Sequence, residues 1–310
     1  MHSNWLDIAE PESRVSLLIE INACELLGET PDNKSIYLLR PKAEQGHTVL
    51  LKEIGRLREE AFRLVGEGTG LERDMDSYDL YYMHIILWDG KDQQIVGAYR
   101  LCATEYFYTD PSKPLYTASL FNYLSGAGPI LKSGLELGRS FVQEKYWGSR
   151  SLDYLWSGIA AFLRLHPEYR YLLGAVSISN DMSLHAKEIL VGFYQKYYGY
   201  PNDAQGHKRV ECTKLFSMSD KGQAHCDELF KGLDHKQGFI VLKKQLRYLG
   251  YAIPVLYKQY AELTEKGGTE FLGFNIDPIF NDCIDGLVVV DITKITPLKR
   301  KRYGLEGHGL

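Results

Sequence analysis

Hydrophobic positions between Val49 and Val65 recur as Leu50, Leu51, Ile54, Leu57, Ala61, Phe62 and Val65, the three- and four-residue spacing of one helical face. Gly66, Gly68 and Gly70 stop that helix. Two apolar strands follow, Tyr81 to Trp88 and Ile95 to Leu101, joined by the hairpin turn Asp89-Gly-Lys-Asp92. The pattern then predicts a strand over 135–142, a helix over 151–165 that stops before Pro167, a strand over 171–179 and a helix over 183–198. Ahead of this block stand a helix from Val15 to Leu27, closed by Gly28 and Pro31, and a short strand over 36–39. Residues 102–132 read as a long insertion punctuated by Pro and Gly. Beyond residue 200 polar loops alternate with helices over 239–249 and 255–263 and a strand over 287–292. The expected organisation is a helical lead-in (1–34), an α/β core (35–200) and a C-terminal extension packed on it (201–310). No internal repeat or low-complexity tract interrupts it.

Composition adds exclusions. A net charge of -4, with no long basic stripe, argues against a nucleic-acid binder. Five scattered cysteines with no C-x-x-C suit free thiols in a reducing compartment. Met1-His-Ser-Asn-Trp-Leu-Asp7 has no basic n-region or apolar h-region, so no signal peptide is expected. No apolar run reaches the ~18 residues of a spanning helix. A soluble cytoplasmic protein, at most peripheral on the inner membrane surface, is the expectation.

The chemistry concentrates in a few short stretches. Arg58 and Phe62 stand four apart on the first long helix and share a face. Asp76 and Asp79, three apart in a turn, can aim at one point. Arg100 closes the strand before the insertion. Glu136 and Arg139 lie in Glu136-Leu-Gly-Arg-Ser-Phe-Val142, and three residues apart on a regular strand they would face opposite sides. Gly138 between them predicts a bulge that swings both to one side and exposes backbone N–H groups for an oxyanion. Guanidinium groups suit a carboxylate, carboxylates suit an ammonium, and one carboxylate can serve as a base. Gly148, Ser149, Arg150 and Ser151 open the next helix, where N–H groups either meet a phosphate or merely carry a serine cap.

Taken together, Glu53-Ile-Gly-Arg-Leu-Arg58, Gly66-Glu-Gly-Thr-Gly70, Gly97-Ala-Tyr-Arg100, Glu136-Leu-Gly-Arg-Ser-Phe-Val142, Val176-Ser-Ile-Ser-Asn180 and Leu272-Gly-Phe-Asn-Ile-Asp-Pro-Ile-Phe280 with Asp285-Gly-Leu287 carry a resemblance. The order of elements resembles the GNAT acyltransferase fold. The motifs are similar to acyl-carrier-protein-dependent N-acyltransferases of amino-acid lipid synthesis, a family also labelled hemolysin-like, over about 35–304. The resemblance implies a mixed sheet with a bulged strand flanked by helices. It implies an acyl chain, 3-hydroxylated, carried as a thioester on the phosphopantetheine of acyl carrier protein. The acceptor is the α-amine of an amino acid, ornithine favoured and glycine the simpler choice. No bound cofactor is expected, because the thioester is a co-substrate. The spacing also resembles acyl-homoserine-lactone synthases, and by that likeness Arg58, Phe62, Asp76, Asp79, Arg100, Glu136 and Arg139 line the donor and amino-substrate site. Gly66-Glu-Gly-Thr-Gly70 replaces a tryptophan-containing segment of those synthases, which weighs against lactone formation.

The roles expected on this basis are Glu136 as base through water, with Arg100 and Arg139 holding a carboxylate or locking Glu136. Asp76 and Asp79 order a loop or bind the ammonium, Arg58 and Phe62 wall the donor site, and residues 148–151 receive phosphopantetheine in the cleft between the Glu136 and Tyr171 strands. Lys243, Lys244 and Arg247 are contributors to carrier docking. The rivals are a lactone synthase and a non-catalytic lipid or carrier-protein binding module. Metal is not expected: His207, Cys212, His225, Cys226 and His235 match no zinc spacing. The His-x4-Asp matches His2…Asp7 and His84…Asp89 read as accidental, and Lys299-Arg-Lys-Arg302 as a solvated tail.

Overall fold

The computed structural model describes residues 5–306. His2, and with it the first His-x4-Asp match, lies outside the described residues. Among the described residues ten strands occur in chain order: β1 (Glu25–Glu29), β2 (Lys34–Leu39), β3 (Met83–Asp89), β4 (Gln94–Ala103), β5 (Phe121–Tyr123), β6 (Gly134–Val142), β7 (Tyr171–Ile178), β8 (Val210–Cys212), β9 (Thr269–Asp277) and β10 (Cys283–Asp291). The helices are α1 (Arg14–Asn22), α2 (Val49–Arg63), α3 (Tyr106–Thr109), α4 (Gly128–Lys132), α5 (Ser151–Leu165), α6 (Leu184–Tyr198), α7 (Asp220–Leu229), α8 (His235–Tyr248), α9 (Val255–Ala261) and α10 (Pro297–Tyr303). The chain divides into two compact units, one of residues 1–115, 133–170 and 297–310, the other of residues 116–132 and 171–296.

In the first unit β1, β2, β3, β4 and β6 lie side by side, each antiparallel to the next. Leu50, Leu51, Ile54 and Leu57 of α2 pack on Ile86, Trp88, Ala98 and Phe141 of the sheet. The opposite face meets α5, where Gly158 lies against Ile85 and Ile36 and Tyr99 meets Trp156 edge-on. Helix α2 starts where Thr48 accepts from Leu51 N and the Glu20 carboxylate accepts from Val49 N and Leu50 N. The expected helix over 15–27 is shorter: it ends at Asn22, and Glu25–Glu29 forms the edge strand β1. Pairing with β2 overrides the local helical pattern there, with a register shift between Leu26 and Gly28.

The second unit centres on β10, antiparallel to both β7 and β9, with a separate β5–β8 pair. The expected strand over 287–292 is longer, Cys283–Asp291, and β9 precedes it. Asn275 and Asp277 of β9 are internal props: the Asn275 amide oxygen accepts from Lys214 N at 2.6 Å, and Asp277 accepts from the Tyr116 hydroxyl at 2.6 Å. Tyr194, Tyr257, Phe271 and Phe274 form an aromatic core, Tyr257 stacking on Phe271 with centroids 5.4 Å apart. Among the described residues no helix is long and apolar enough to cross a membrane.

Candidate active site

The α2-facing side of the first unit's sheet changes character along the strands. His84, Arg100 and Glu136 continue the rows begun by Ile86, Ala98 and Phe141, but they are polar and all three are buried. His84 pairs directly with Arg100 across β3 and β4, and Cys102 with Glu136 across β4 and β6. The apolar sandwich therefore ends in a buried polar cluster.

The expected bulge is present. Ala98 pairs with Phe141 but Arg100 with Gly138, so β6 carries one residue more than β4 over this step. Arg139 takes up the extra residue with φ +48°, a left-handed conformation. On a regular strand Arg139 would share the α2 face with Phe141, two residues on, and Glu136 would turn to the α5 face; the bulge keeps both on the α2 side. The Arg139 guanidinium reaches the α2-side cluster, with Nε 3.4 Å from Asp74 Oδ2 and Nη2 3.9 Å from Asp76 Oδ2.

Three arginines and three aspartates interlock. Arg58, on α2, donates through Nη1 and Nη2 to the two oxygens of Asp79 at 3.0 and 2.8 Å. Its Nε lies 3.1 Å from Asp74 Oδ2, and Nη2 also donates to the Asp74 carbonyl. Arg100 Nη1 bonds Asp76 Oδ1 at 2.6 Å and Asp79 Oδ1 at 3.0 Å, and its guanidinium sits over the rings of Tyr82 and Tyr78. The loop is fixed locally as well: Asp76 and Asp79 cap a short 3₁₀ turn reciprocally, and Asp74 N donates to the Gly55 carbonyl.

Burial alone would push Asp79 up, but Arg58 and Arg100 hold its carboxyl well below the usual range. Burial would lower both guanidinium groups, and the aspartates raise them, so Arg58 and Arg100 stay charged. His84 goes the other way: burial lowers it to about 4, and the pull of Asp79 at 3.8 Å does not offset burial and the two arginines. It is a neutral imidazole at pH 7. Beside Glu136, burial and that carboxylate raise the Cys102 thiol, which is therefore not a thiolate.

The structure thus brings Arg58, Asp76, Asp79, Arg100, Glu136 and Arg139 to one side of the sheet. Phe62 is elsewhere on α2, packed against the apolar cluster. Gly148, Ser149, Arg150 and Ser151 form the turn into α5. There Ser149 Oγ donates to the Tyr146 carbonyl at 2.6 Å and accepts from Ser151 N at 3.2 Å, while Arg150 lies over the Tyr154 ring. Two members of the cluster were not singled out from sequence. Asp74 belongs to the Asp-x-Asp-x-x-Asp run with Asp76 and Asp79 and was legible as a third acid. His84 stood out only as half of a His-x4-Asp match; Asp89 turns instead to the hairpin, accepting from Lys91 N and Asp92 N.

The glycines of residues 66–70 build a nest for a carboxylate of the protein itself. Gly66, Gly68 and Gly70 have φ of +73°, +111° and +76°. Thr69 N, Thr69 Oγ1 and Gly70 N donate to Glu59 at 2.8–3.0 Å, and Arg63 Nε pairs with it at 2.8 Å. Among the described residues no group of three or more His, Cys, Asp and Glu is placed to hold a metal.

Residues 57–157, which span this cluster, the bulged strand and the turn into α5, match the acetyltransferase (GNAT) domain. That match takes in about a third of the chain, and the fold around it is mixed α/β. It is 29% identical over 313 aligned positions to a glycine N(alpha)-acyltransferase of Bacteroides thetaiotaomicron, an alignment that takes in 96% of this chain and 89% of that one. It is 34% identical to an L-ornithine N(alpha)-acyltransferase of Brucella abortus, over 31% of this chain and 35% of that one. Among solved structures it is similar to the CoA-dependent acyl-homoserine lactone synthase BjaI, at 15% identity and a TM-score of 0.32 over 62% of this chain and 86% of that one.

Proposed function

We propose that the chain is an amino-acid N-acyltransferase that moves a 3-hydroxyacyl group from acyl carrier protein to the α-amine of glycine, the first step of an amino-acid lipid synthesis. The observation that carries the reading is the bulge of β6, which sets Glu136 and Arg139 on the Arg100 side of the sheet within the GNAT domain. In this reading the amine nitrogen attacks the thioester carbonyl, the C–S bond breaks, and the leaving thiolate takes back the proton removed from nitrogen, so that amide and free thiol result. Glu136 takes the amine proton through water, and backbone N–H groups at the bulge receive the oxyanion. No acyl-enzyme is invoked, and the raised Cys102 thiol supports direct attack. The turn over residues 148–151 receives phosphopantetheine.

Arg139 is assigned to the substrate carboxylate. Its guanidinium lies on the Arg100 side of the sheet, 3.4 Å from Asp74 Oδ2 and 3.9 Å from Asp76 Oδ2, and offers a planar fork that suits a carboxylate. Two considerations favour glycine over ornithine, the acceptor favoured from motifs alone. The glycine enzyme aligns with nearly the whole chain, the ornithine enzyme with about a third. The side-chain ammonium of ornithine would also need a carboxylate, and Asp74, Asp76 and Asp79 are each engaged by arginine.

The test is mass spectrometry of lipid extracts from a host lacking amino-acid lipids, with and without the chain. A new ion whose fragments report acylated glycine supports the proposal. An unchanged profile with folded protein present overturns it.

A further inference from the structure

Helix α8 of the second unit presents a one-sided charged face. Its sequence, from His235 to Tyr248, contains no Asp or Glu, in a chain whose net charge is -4. Gly238, Leu242 and Leu246 are buried, whereas Lys236, Ile240, Lys243, Lys244, Arg247 and Tyr248 are exposed. Three-, four- and eight-residue spacings place these six on one stripe about 18 Å long at 1.5 Å per residue. None of the four cations has an acidic partner among the described residues. The other basic run of the sequence behaves differently, since Arg302 of α10 is tied to Asp153. Two features of the stripe are not electrostatic. Tyr248 is 87% exposed and Ile240 68%, so a phenol ring and a branched aliphatic chain stand in solvent between the cations.

We infer that the outer face of α8 docks the enzyme on an anionic bilayer surface. Unpaired cations supply attraction to anionic headgroups, and an amphipathic ring beside an aliphatic chain supplies the shallow apolar anchor of an interfacial helix. An acidic carrier protein would use the cations, but it gives less reason for a tyrosine so fully presented to solvent. The choice also draws on the proposed reaction, because an N-acyl amino acid is an amphiphile that leaves into a membrane.

The experiment is co-sedimentation of the full chain with phosphatidylglycerol vesicles and with phosphatidylcholine vesicles, at low and high salt. Binding is expected to the first alone and to fall as salt rises. The double variant Lys243→Gln/Lys244→Gln should lose about thirtyfold in partition, at about 1 kcal/mol per cation, while its thermal transition stays unchanged. Tyr248→Ser should weaken binding without changing the salt dependence. Equal binding to both lipids, or none to phosphatidylglycerol, overturns the inference. So does a double variant that binds vesicles normally, or one that loses vesicle-free turnover with a carrier-borne donor, which would make the face a carrier-docking site. Vesicle binding by a chain that acylates no amine would leave the docking face standing and remove the proposed reaction.

Discussion

Arg58 holds Asp79 through both terminal nitrogens, at 3.0 and 2.8 Å, with both side chains almost sealed from water. One comes from the middle of α2 and the other from the turn ahead of β3, so the pair ties the helix to the sheet beside Glu136.

Breaking that pair strands a buried charge. Asp79→Asn leaves Arg58 and Arg100 short of a carboxylate and should cost about 3–5 kcal/mol. Urea denaturation checks this; a loss below about 1 kcal/mol would mean that the cluster is solvated.

The same groups predict acid lability with a definite sign. His84 is held neutral in the fold, at about 4, against an ordinary value of 6.5, so between these pH values the unfolded chain binds more protons and stability falls as pH falls. Asp79, held low in the fold, adds stability that is present above its unfolded value and lost as pH drops through the folded one. Urea midpoints of wild type and His84→Gln should therefore diverge in slope between pH 6.5 and 4, the variant being flatter there.

Glu136→Gln preserves shape and removes the base. Turnover should fall by about 10²- to 10⁴-fold with little change in the melting transition. Steady-state kinetics at saturating donor reads it, and a variant within threefold of wild type would remove Glu136 from proton transfer.

Arg139→Lys tests the carboxylate assignment. Loss of the planar fork should raise KM for the amino acid at least tenfold, at about 1.4 kcal/mol per factor of ten, more than it lowers kcat. A fall in kcat with KM unchanged would place Arg139 on Glu136 or the oxyanion instead.

The glycine nest should be structural. Gly68→Ala places a Cβ 3.2 Å from Glu59 Oε1 at φ +111°, and it should cost about 2 kcal/mol of stability with KM for the amino acid unchanged. Thermal denaturation and initial rates together separate this from a ligand-binding role.

Much of this site was legible in the residues. The bulge followed from Glu136 and Arg139 standing three apart around Gly138, because a regular strand cannot send both to one side. The turn holding Asp76 and Asp79 followed from their spacing. What local pattern could not reach was the partner of each group, since Arg58 and Asp79 lie 21 residues apart and meet only after α2 has packed on the sheet. Likewise His84 gained meaning only from its register with Arg100. Residues 25–27 read as helix because nothing local announces that β2 will claim them. Residues 66–70 read only as the end of a helix, whereas they also cradle an acid of that same helix, Glu59.

The reaction is tested most directly by a competition assay with purified chain, 3-hydroxyacyl carrier protein and an equimolar mixture of glycine and ornithine, read by mass spectrometry of the amide products. Acylglycine as the dominant product, formed at least about a hundredfold more slowly by Glu136→Gln, is the predicted result. Dominant acylornithine would contradict the acceptor assignment, and no amide from either amine, with folded enzyme and intact donor, would rule out amine acylation by this chain.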